Sequence, residues 1–277
     1  MHLHSLHSDG TEPPAQVIVS AYQHGLRTVA LTDHDTTSGW AEAADAAANL
    51  AMTFLPGMEL SARHQFRSVH VLAYLVDPDH SGLRDLIERI RSSRRDRIHA
   101  MAEKIGRDFD LNWEQFVAQT TVGATLGRPH LADALVLQGH VQDRTQAFAD
   151  ILHPRSPYYV ALYAPDPATA VQQVVAAGGV AILAHPAGRG GTLPRPVLER
   201  MLAAGLSGFE LGHRENLEPG VSQLERLCRE RDLIVTGSSD YHGTGKPNAP
   251  GENTTSDEMV ARIIETARGS SPVFASS

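Results

Sequence analysis

Thr28-Val29-Ala30-Leu31-Thr32-Asp33-His34-Asp35 is a short apolar and β-branched run that ends in two carboxylates and an imidazole. Such a run predicts a buried strand over 28–33, and the alanine-rich stretch behind it predicts a helix over about 38–50. Similar strand-like runs recur at 53–59, 68–75, 179–184, 208–211 and 233–236. Helices separate the later ones. Asp166-Pro167 opens a helix over 168–177, and Ser256-Asp257-Glu258 opens another over 259–268, each with a side chain able to cap the first turn. Strands alternating with helices predict an α/β fold around a largely parallel sheet, barrel-like or doubly wound.

Upstream of that unit, Met1-His2-Leu3-His4-Ser5-Leu6-His7-Ser8-Asp9-Gly10 places His2 and His4 two positions apart. On a β-strand both imidazoles face the same side. The small and polar residues up to Gly10 turn the chain and offer Asp9. Imidazole with carboxylate is the donor set of zinc, manganese and iron sites.

At 277 residues, 42% hydrophobic and 20% charged, the chain suits one large domain or one domain carrying an insertion. The formal charge of −8 argues against a duplex-DNA or anionic-membrane surface and leaves room for a local phosphate pocket. The single cysteine, Cys228, excludes an intramolecular disulfide and fits a reducing, cytoplasmic setting. Its helical context predicts a buried, inert thiol. No secretory signal is expected, and no apolar run approaches the ~20 residues of a membrane span.

The segment 78–160 has a different texture. Leu83, Leu86, Ile87, Ile90, Ile98, Met101 and Ile105 repeat at helical spacing. Arg84, Arg89, Arg91, Arg94, Arg95, Arg97, Lys104 and Arg107 thread the same stretch and read as a solvated helix face, with attraction of an acidic substrate as the alternative. Further helices are predicted at 130–137 and 143–152. The expected organisation is a barrel-like domain built from 1–77 and 161–277, with 78–160 as an all-helical insertion that caps the substrate.

Metal-type residues gather at the strand ends. His2 and His4 sit on the first, with Asp9 after it, and the next runs into Asp33-His34-Asp35. Glu59 ends a third, His70 lies in a fourth, and His185-Pro186 and Asp240-Tyr241-His242 follow later ones. One histidine at a strand end is ordinary, whereas six such positions with matching carboxylates are not. In a β/α barrel the strand ends converge on one mouth, so these scattered positions become a cluster.

Four motifs here resemble the PHP family (polymerase and histidinol phosphatase domain), itself related to amidohydrolases. They are His2-x-His4 followed by Ser8-Asp9-Gly10; Thr32-Asp33-His34-Asp35; Gly57-x-Glu59 followed by His70; and His185-Pro186 with Gly237-Ser238-Ser239-Asp240-Tyr241-His242. The last differs from the family by Ser239, which stands between Ser238 and Asp240. The family's usual Asp two positions before its first histidine has no counterpart, and is expected either upstream of Met1 or to be dispensable. The resemblance implies a distorted (β/α)7 barrel with two or three divalent ions at its mouth, manganese foremost, with iron or zinc compatible. It implies one ion held by His2, His4, Glu59 and Asp240. Glu59 would bridge to a second, held with His70 and His185, and Asp9, His34 and His242 would hold a third.

Such a centre supplies an activated water and polarises phosphoryl oxygens, so a protein nucleophile is unnecessary. No Gly-x-Ser-x-Gly competes, and Cys228 has no suggestive partner. Asp240 and His242 would serve the chemistry directly, and His213, after another strand end, is a candidate proton donor to the leaving group. A phosphate also calls for an arginine fork. Resemblance to the nucleotide-directed PHP branch implies that Arg128 and His130, in Gly127-Arg128-Pro129-His130, reach onto the substrate. Arg189 and Lys246, each in a glycine-containing loop after a ligand histidine, are further candidates. Tyr158-Tyr159 closes the insertion, where a ring packs or stacks on a base.

The expected activity is hydrolysis of a small phosphorylated substrate, a nucleotide by preference. The leading substrate is the 3′-phosphate of nucleoside 3′,5′-bisphosphates, with short 5′-phosphorylated oligoribonucleotides as a further class. Histidinol-phosphate phosphatase is the alternative within the enzymes. A non-catalytic, metal-binding regulatory domain is the alternative outside them, and retention of all nine assigned ligand positions favours an enzyme.

Overall fold

Only Gln65 and Phe66 separate strand β2 (Thr53–His64) from β3 (Arg67–Tyr74). Two residues cannot make the crossover that parallel pairing requires, so β3 returns antiparallel, with Glu59 opposite Leu72 and Ser61 opposite His70. The computed structural model describes residues 1–109 and 111–275. Its six-stranded sheet follows chain order, with β1 (Thr28–Leu31), then β2 and β3, β4 (Val180–Leu183), β5 (Gly208–Gly212) and β6 (Ile234–Gly237). β1 pairs parallel with β2, and β4, β5 and β6 pair parallel with each other. β3 is antiparallel to both its neighbours. The sheet is therefore mixed rather than largely parallel, and β2 runs past the expected end at Glu59 into the hairpin.

The first histidines do not lie on a regular strand. Leu3 makes a single bridge to Tyr241, the Leu3 carbonyl accepts from Thr32 N at 2.8 Å, and His4 N donates to the Tyr241 carbonyl at 2.9 Å. Residues 2–4 are thus held between the chain leaving β1 and the chain leaving β6, which brings the two edges of the curled sheet towards one another.

Apolar faces explain the remaining layers. Helices α1 (Pro14–Gln23) and α2 (Trp40–Asn49) place Val17, Ile18, Ala21, Ala43 and Ala47 against Val29, Leu31 and Phe54. The sequence reading did not include α1, although proline in its first turn and the spacing of Val17, Ile18 and Ala21 are its signals. The long helix α3 (Ser81–Phe109) is followed by α4 (Trp113–Ala118), α5 (Arg128–Leu137), α6 (Arg144–Asp150) and α7 (Pro167–Ala176). α8 (Arg195–Ala203) and α9 (Gly220–Arg231) come between the last strands, and α10 (Asp257–Thr266) follows them. α7, α8 and α9 bury Val171, Met201 and Leu224 with Val71, Ala181 and Phe209. Asp166 caps α7 by accepting from Ala168 N, and Ser256 caps α10 by accepting from Met259 N, as the sequence predicts.

α3 joins two apolar cores. Leu83 and Ile90 pack with the sheet, whereas Ile98, Met101, Ala102 and Ile105 pack with Leu131, Leu135 and Leu152 from the following helices. Between those two stretches, on the inward side, lie Arg94 and Arg97, only 8% and 7% exposed. This corrects the expectation of a solvated arginine face: Arg84, Arg89, Arg95 and Arg107 are exposed, but Arg94 and Arg97 are not. A helical repeat places residues seven or eleven apart on the same side as Leu83 and Ile90, which draws part of the basic run inward.

Cys228 is buried in α9, and burial first, then Glu225, pushes its thiol up to about 11. No helix among the described residues is long and apolar enough to cross a membrane. Phe209, fully buried on β5 beneath α8 and α9, is the test of this packing. Phe209→Ala is expected to cost roughly 3–5 kcal/mol, read as a lower urea midpoint at unchanged slope.

Candidate metal centre

Strand ends and their loops deliver nine side chains to one mouth of the curled sheet. His34 follows β1 and bridges to Glu59 in β2. His185 follows β4, and Asp240 and His242 follow β6. His70 lies near the start of β3, and because that strand runs antiparallel its start faces the same mouth. Asp9 rides a tight turn in which the Ser5 carbonyl accepts from Ser8 N and Gly10 N. A side chain at Gly10 would overlap the His4 carbonyl, so only glycine closes this turn against the ligand strand. Asp35, His185 and Asp240 have φ of 51°, 28° and 53°, a left-handed backbone that side chains rarely adopt and that clusters at functional sites.

Glu59 is the hub. Its Oε2 lies 3.1 Å from His2 Nε2, 3.0 Å from His4 Nε2 and 3.3 Å from His34 Nδ1. Its Oε1 lies 2.7 Å from His70 Nδ1 and 3.2 Å from His185 Nε2. Asp240 Oδ1 stands 3.2 Å from His4 Nε2 and 3.4 Å from His242 Nδ1, and His242 Nε2 stands 3.2 Å from Asp9 Oδ1. His34 Nε2 is 3.8 Å from Asp9 Oδ2.

These donors fit divalent ions. His2 Nε2 and His4 Nε2 are 3.0 Å apart and lie 3.0–3.5 Å from Glu59 and Asp240 oxygens. Donor atoms ~2.0–2.2 Å from a shared ion are themselves separated by roughly 3–3.5 Å. His4, Asp9 and His34 form a second convergent group, and His34, Glu59 and His70 a third. Among the described residues, five of the nine buried polar side-chain atoms without a hydrogen bond lie here: Asp9 Oδ1, His34 Nδ1, His70 Nδ1, His213 Nε2 and His242 Nε2. His213 Nε2 carries its ring's proton, because Nδ1 accepts from Glu215 N, but the lone pairs of the other four, unmet in one place, call for a cation. Without one, protons take its part. Burial opposes a charge on His4, yet hydrogen bonds to Asp240 and Glu59 push it up to about 9. Burial likewise opposes the Glu59 charge, but His34 and His70 hold its carboxyl well below the usual range.

Two buried carboxylates to which the sequence analysis assigned no role, Glu210 and Asp33, support the cluster. His2 Nδ1 donates to Glu210 Oε1 at 2.9 Å, and Glu210 Oε2 accepts from His185 N at 3.0 Å. The signal was an acid inside the apolar strand Gly208-Phe209-Glu210-Leu211, since a fully buried carboxylate needs partners. Asp33 accepts from Ser5 N, Ser5 Oγ and Ser8 Oγ at 2.6–2.7 Å, pinning the turn that carries Asp9.

The other expected site residues divide. His213 is buried, and its Nδ1 accepts from Glu215 N at 3.1 Å. In the neutral ring the proton therefore sits on Nε2, 3.6 Å from Asp240 Oδ2. Lys246 Nζ contacts Asp240 Oδ2 at 2.6 Å, and this pairing outweighs burial to hold the ammonium above its ordinary range. A cavity of about 590 Å³ opens beside the centre, lined by Asp9, His34, His70 and His242 on one side and by Arg94, Arg97 and Arg128 among others. His130 instead lines a neighbouring groove with Phe116, Asp133 and Leu137, its Nδ1 accepting from Gly127 N. Arg189 is exposed in the turn after His185 and is not among the residues lining the cavity.

A curled α/β sheet whose strand ends gather six histidines and three carboxylates around bridging distances defines a metal-dependent hydrolase. The chain belongs to the PHP domain family, whose model matches residues 1–154. It is 33% identical over 257 residues to a 3′,5′-nucleoside bisphosphate phosphatase of Chromobacterium violaceum, covering 89% of this chain and 87% of that one. It is 30% identical to a 5′-3′ exoribonuclease of Haemophilus influenzae, covering 87% of this chain and 89% of the relative. Among solved structures, a candidate metal-dependent phosphoesterase from Bifidobacterium adolescentis superposes with a TM-score of 0.93 at 38% identity, covering 96% of this chain and 95% of that one. The chain is accordingly a hydrolase acting on phosphoester bonds.

Glu210 gives this geometry a direct test. Glu210→Gln removes the charge that steadies both His2 and the His185 backbone, and is expected to weaken metal binding about 10–100-fold. Competition against a chromogenic chelator measures it, and an unchanged affinity would show that Glu210 does not support the ligands.

Proposed function

We propose that the chain removes the 3′-phosphate of nucleoside 3′,5′-bisphosphates. The observation that carries this reading is one cavity lined both by the carboxylates and histidines of the centre and by Arg94, Arg97 and Arg128. His2, His4, Glu59 and Asp240, then His70 and His185, then Asp9, His34 and His242 are the proposed ligands of two or three divalent ions, manganese foremost. When bound, such ions supply an activated water and stabilise charge during in-line displacement at phosphorus.

The chain's own residues do the rest. Glu59 and Asp240 orient the histidines around them. His213 presents Nε2–H beside Asp240, where it can give a proton to the departing ribose oxygen. Lys246, already paired with Asp240, places a fixed positive charge at the rim of the phosphoryl site. Arg128 holds the second phosphate across the cavity. Its Nη1 is anchored on the Leu152 carbonyl, and the guanidinium lies over Phe148. Residues 78–160 act in this reading as a substrate-capping subdomain on a barrel formed by 1–77 and 161–277, in a cytoplasmic setting.

Shortening of 5′-phosphorylated oligoribonucleotides is the second reading, favoured by the exoribonuclease relative. Both place a terminal phosphate among the arginines.

The test is steady-state turnover, with manganese present, of adenosine 3′,5′-bisphosphate, AMP and histidinol phosphate. The bisphosphate is expected to exceed the other two in kcat/KM by roughly 100-fold or more, because a site built for a second phosphate leaves buried cations unpaired without it. Equal or better turnover of histidinol phosphate overturns the nucleotide assignment.

A further inference from the structure

Six cationic side chains line the cavity, and four are already matched. Arg94 Nε lies 2.8 Å from Asp35, Arg144 forks onto both oxygens of Asp133 at 2.6 Å, Arg214 meets Glu252 at 3.2 Å, and Lys246 meets Asp240. Arg97 and Arg128 have no carboxylate partner among the described residues. Each spends one N–H on a backbone carbonyl, Arg97 Nε on Val160 and Arg128 Nη1 on Leu152. Both guanidiniums lie over the ring of Tyr159, 5.3 and 5.8 Å from its centre. They are neighbours of like sign that share one aromatic ring.

Burial sharpens the imbalance. Arg97 is 7% exposed, and desolvation, followed by the charge of Arg128, pushes its guanidinium down to about 9. Two half-desolvated cations without a counterion are costly unless an anion enters between them. The remaining N–H groups of Arg97, with those of Arg128, offer forks in the pattern that phosphate oxygens accept. Their neighbour Arg94 is not equivalent. Its Nε and Nη2 are committed to Asp35 and Ser61, so it adds a locked charge rather than a free fork.

We propose that Arg97 is a specificity-determining residue of this site, forming with Arg128 a two-guanidinium cradle against Tyr159 that grips a terminal phosphate on the end of the substrate not being hydrolysed. This rests on the bisphosphate reading and deepens it. The second phosphate is held by a pair of arginines from α3 and α5, and the ligand class is a phosphate monoester. The cradle is complete in the protein alone, so it binds phosphate without help from the metal centre.

Calorimetric titration of the chelator-treated full chain with AMP and, separately, with adenosine tests this. The wild type is expected to bind AMP more tightly than adenosine. Arg97→Ala is expected to lose about tenfold or more of the AMP affinity with adenosine unchanged, and Arg97→Lys to retain part of it, since a point charge replaces the fork. Arg95→Ala, on the exposed side of the same helix, is expected to leave both unchanged. Undiminished AMP binding in Arg97→Ala, or an equal loss for AMP and adenosine, overturns the cradle. Phosphate release from adenosine 3′,5′-bisphosphate by the wild type is read independently. Its presence beside unaffected AMP binding in Arg97→Ala sinks the cradle and keeps the reading. Its absence beside Arg97-dependent AMP binding sinks the reading and keeps the cradle.

Discussion

One fully buried carboxylate, Glu59, faces five imidazoles from four different stretches of chain. A charge so deep in protein persists only if something positive surrounds it. That requirement reaches outward through the whole sheet. It needs the N-terminal segment drawn in by Thr32 and Tyr241, the β1 end held beside β2, and the loops after β4 and β6 turned inward through left-handed residues. The strain at His185 and Asp240 is sustained by that convergence, since relaxing either would swing a donor out of the cluster, and Asp35 is held by Ser61 and Arg94.

The mixed sheet serves the same end. A wholly parallel arrangement would carry only strand C-termini to the mouth. Reversing β3 through a two-residue hairpin brings the beginning of a strand there instead, and with it His70, which joins His185 at Oε1 of Glu59. Glu210 and Asp33 then work beneath the ligands. Neither meets the cavity, yet one fixes His2 and the other the serine-rich turn before Gly10.

How far the sequence discloses this depends on what kind of constraint acts. That these residues cluster was legible because imidazole and carboxylate at strand ends are rare for any other purpose, and because His2, His4, His34, Glu59, His70, His185, Asp240 and His242 stand in recognisable motifs. The strand positions were legible from apolar runs, but their direction was not, since a run of β-branched residues reads the same parallel or antiparallel and only the shortness of 65–66 decides it. Arg94 and Arg97 were misread because a basic run on an amphipathic helix is solvated in most proteins. The decision lies in three dimensions, where α3 crosses from one apolar core to the other and carries both arginines inward. Glu210 was visible in the strand yet mute, because its partner His2 lies 208 residues away.

The cavity's two ends differ in how they come by their charge. At the Glu59 end the carboxylates are fixed and the cations are recruited, either as protons on histidines such as His4 or as metal ions, and the two compete for the same lone pairs. Around Arg97 the cations are fixed, and neither Arg97 nor Arg128 has a carboxylate partner among the described residues. A chain with a net charge of −8 thus concentrates positive charge inside one pocket, where it is partly stripped of water. The first end becomes competent only as it takes up ions, and ions that bind the folded arrangement alone also stabilise it by mass action. The second end has no such dependence. The asymmetry gives the pocket a polarity before any ligand enters, with one set of charges fixed and one that depends on the ions it takes up.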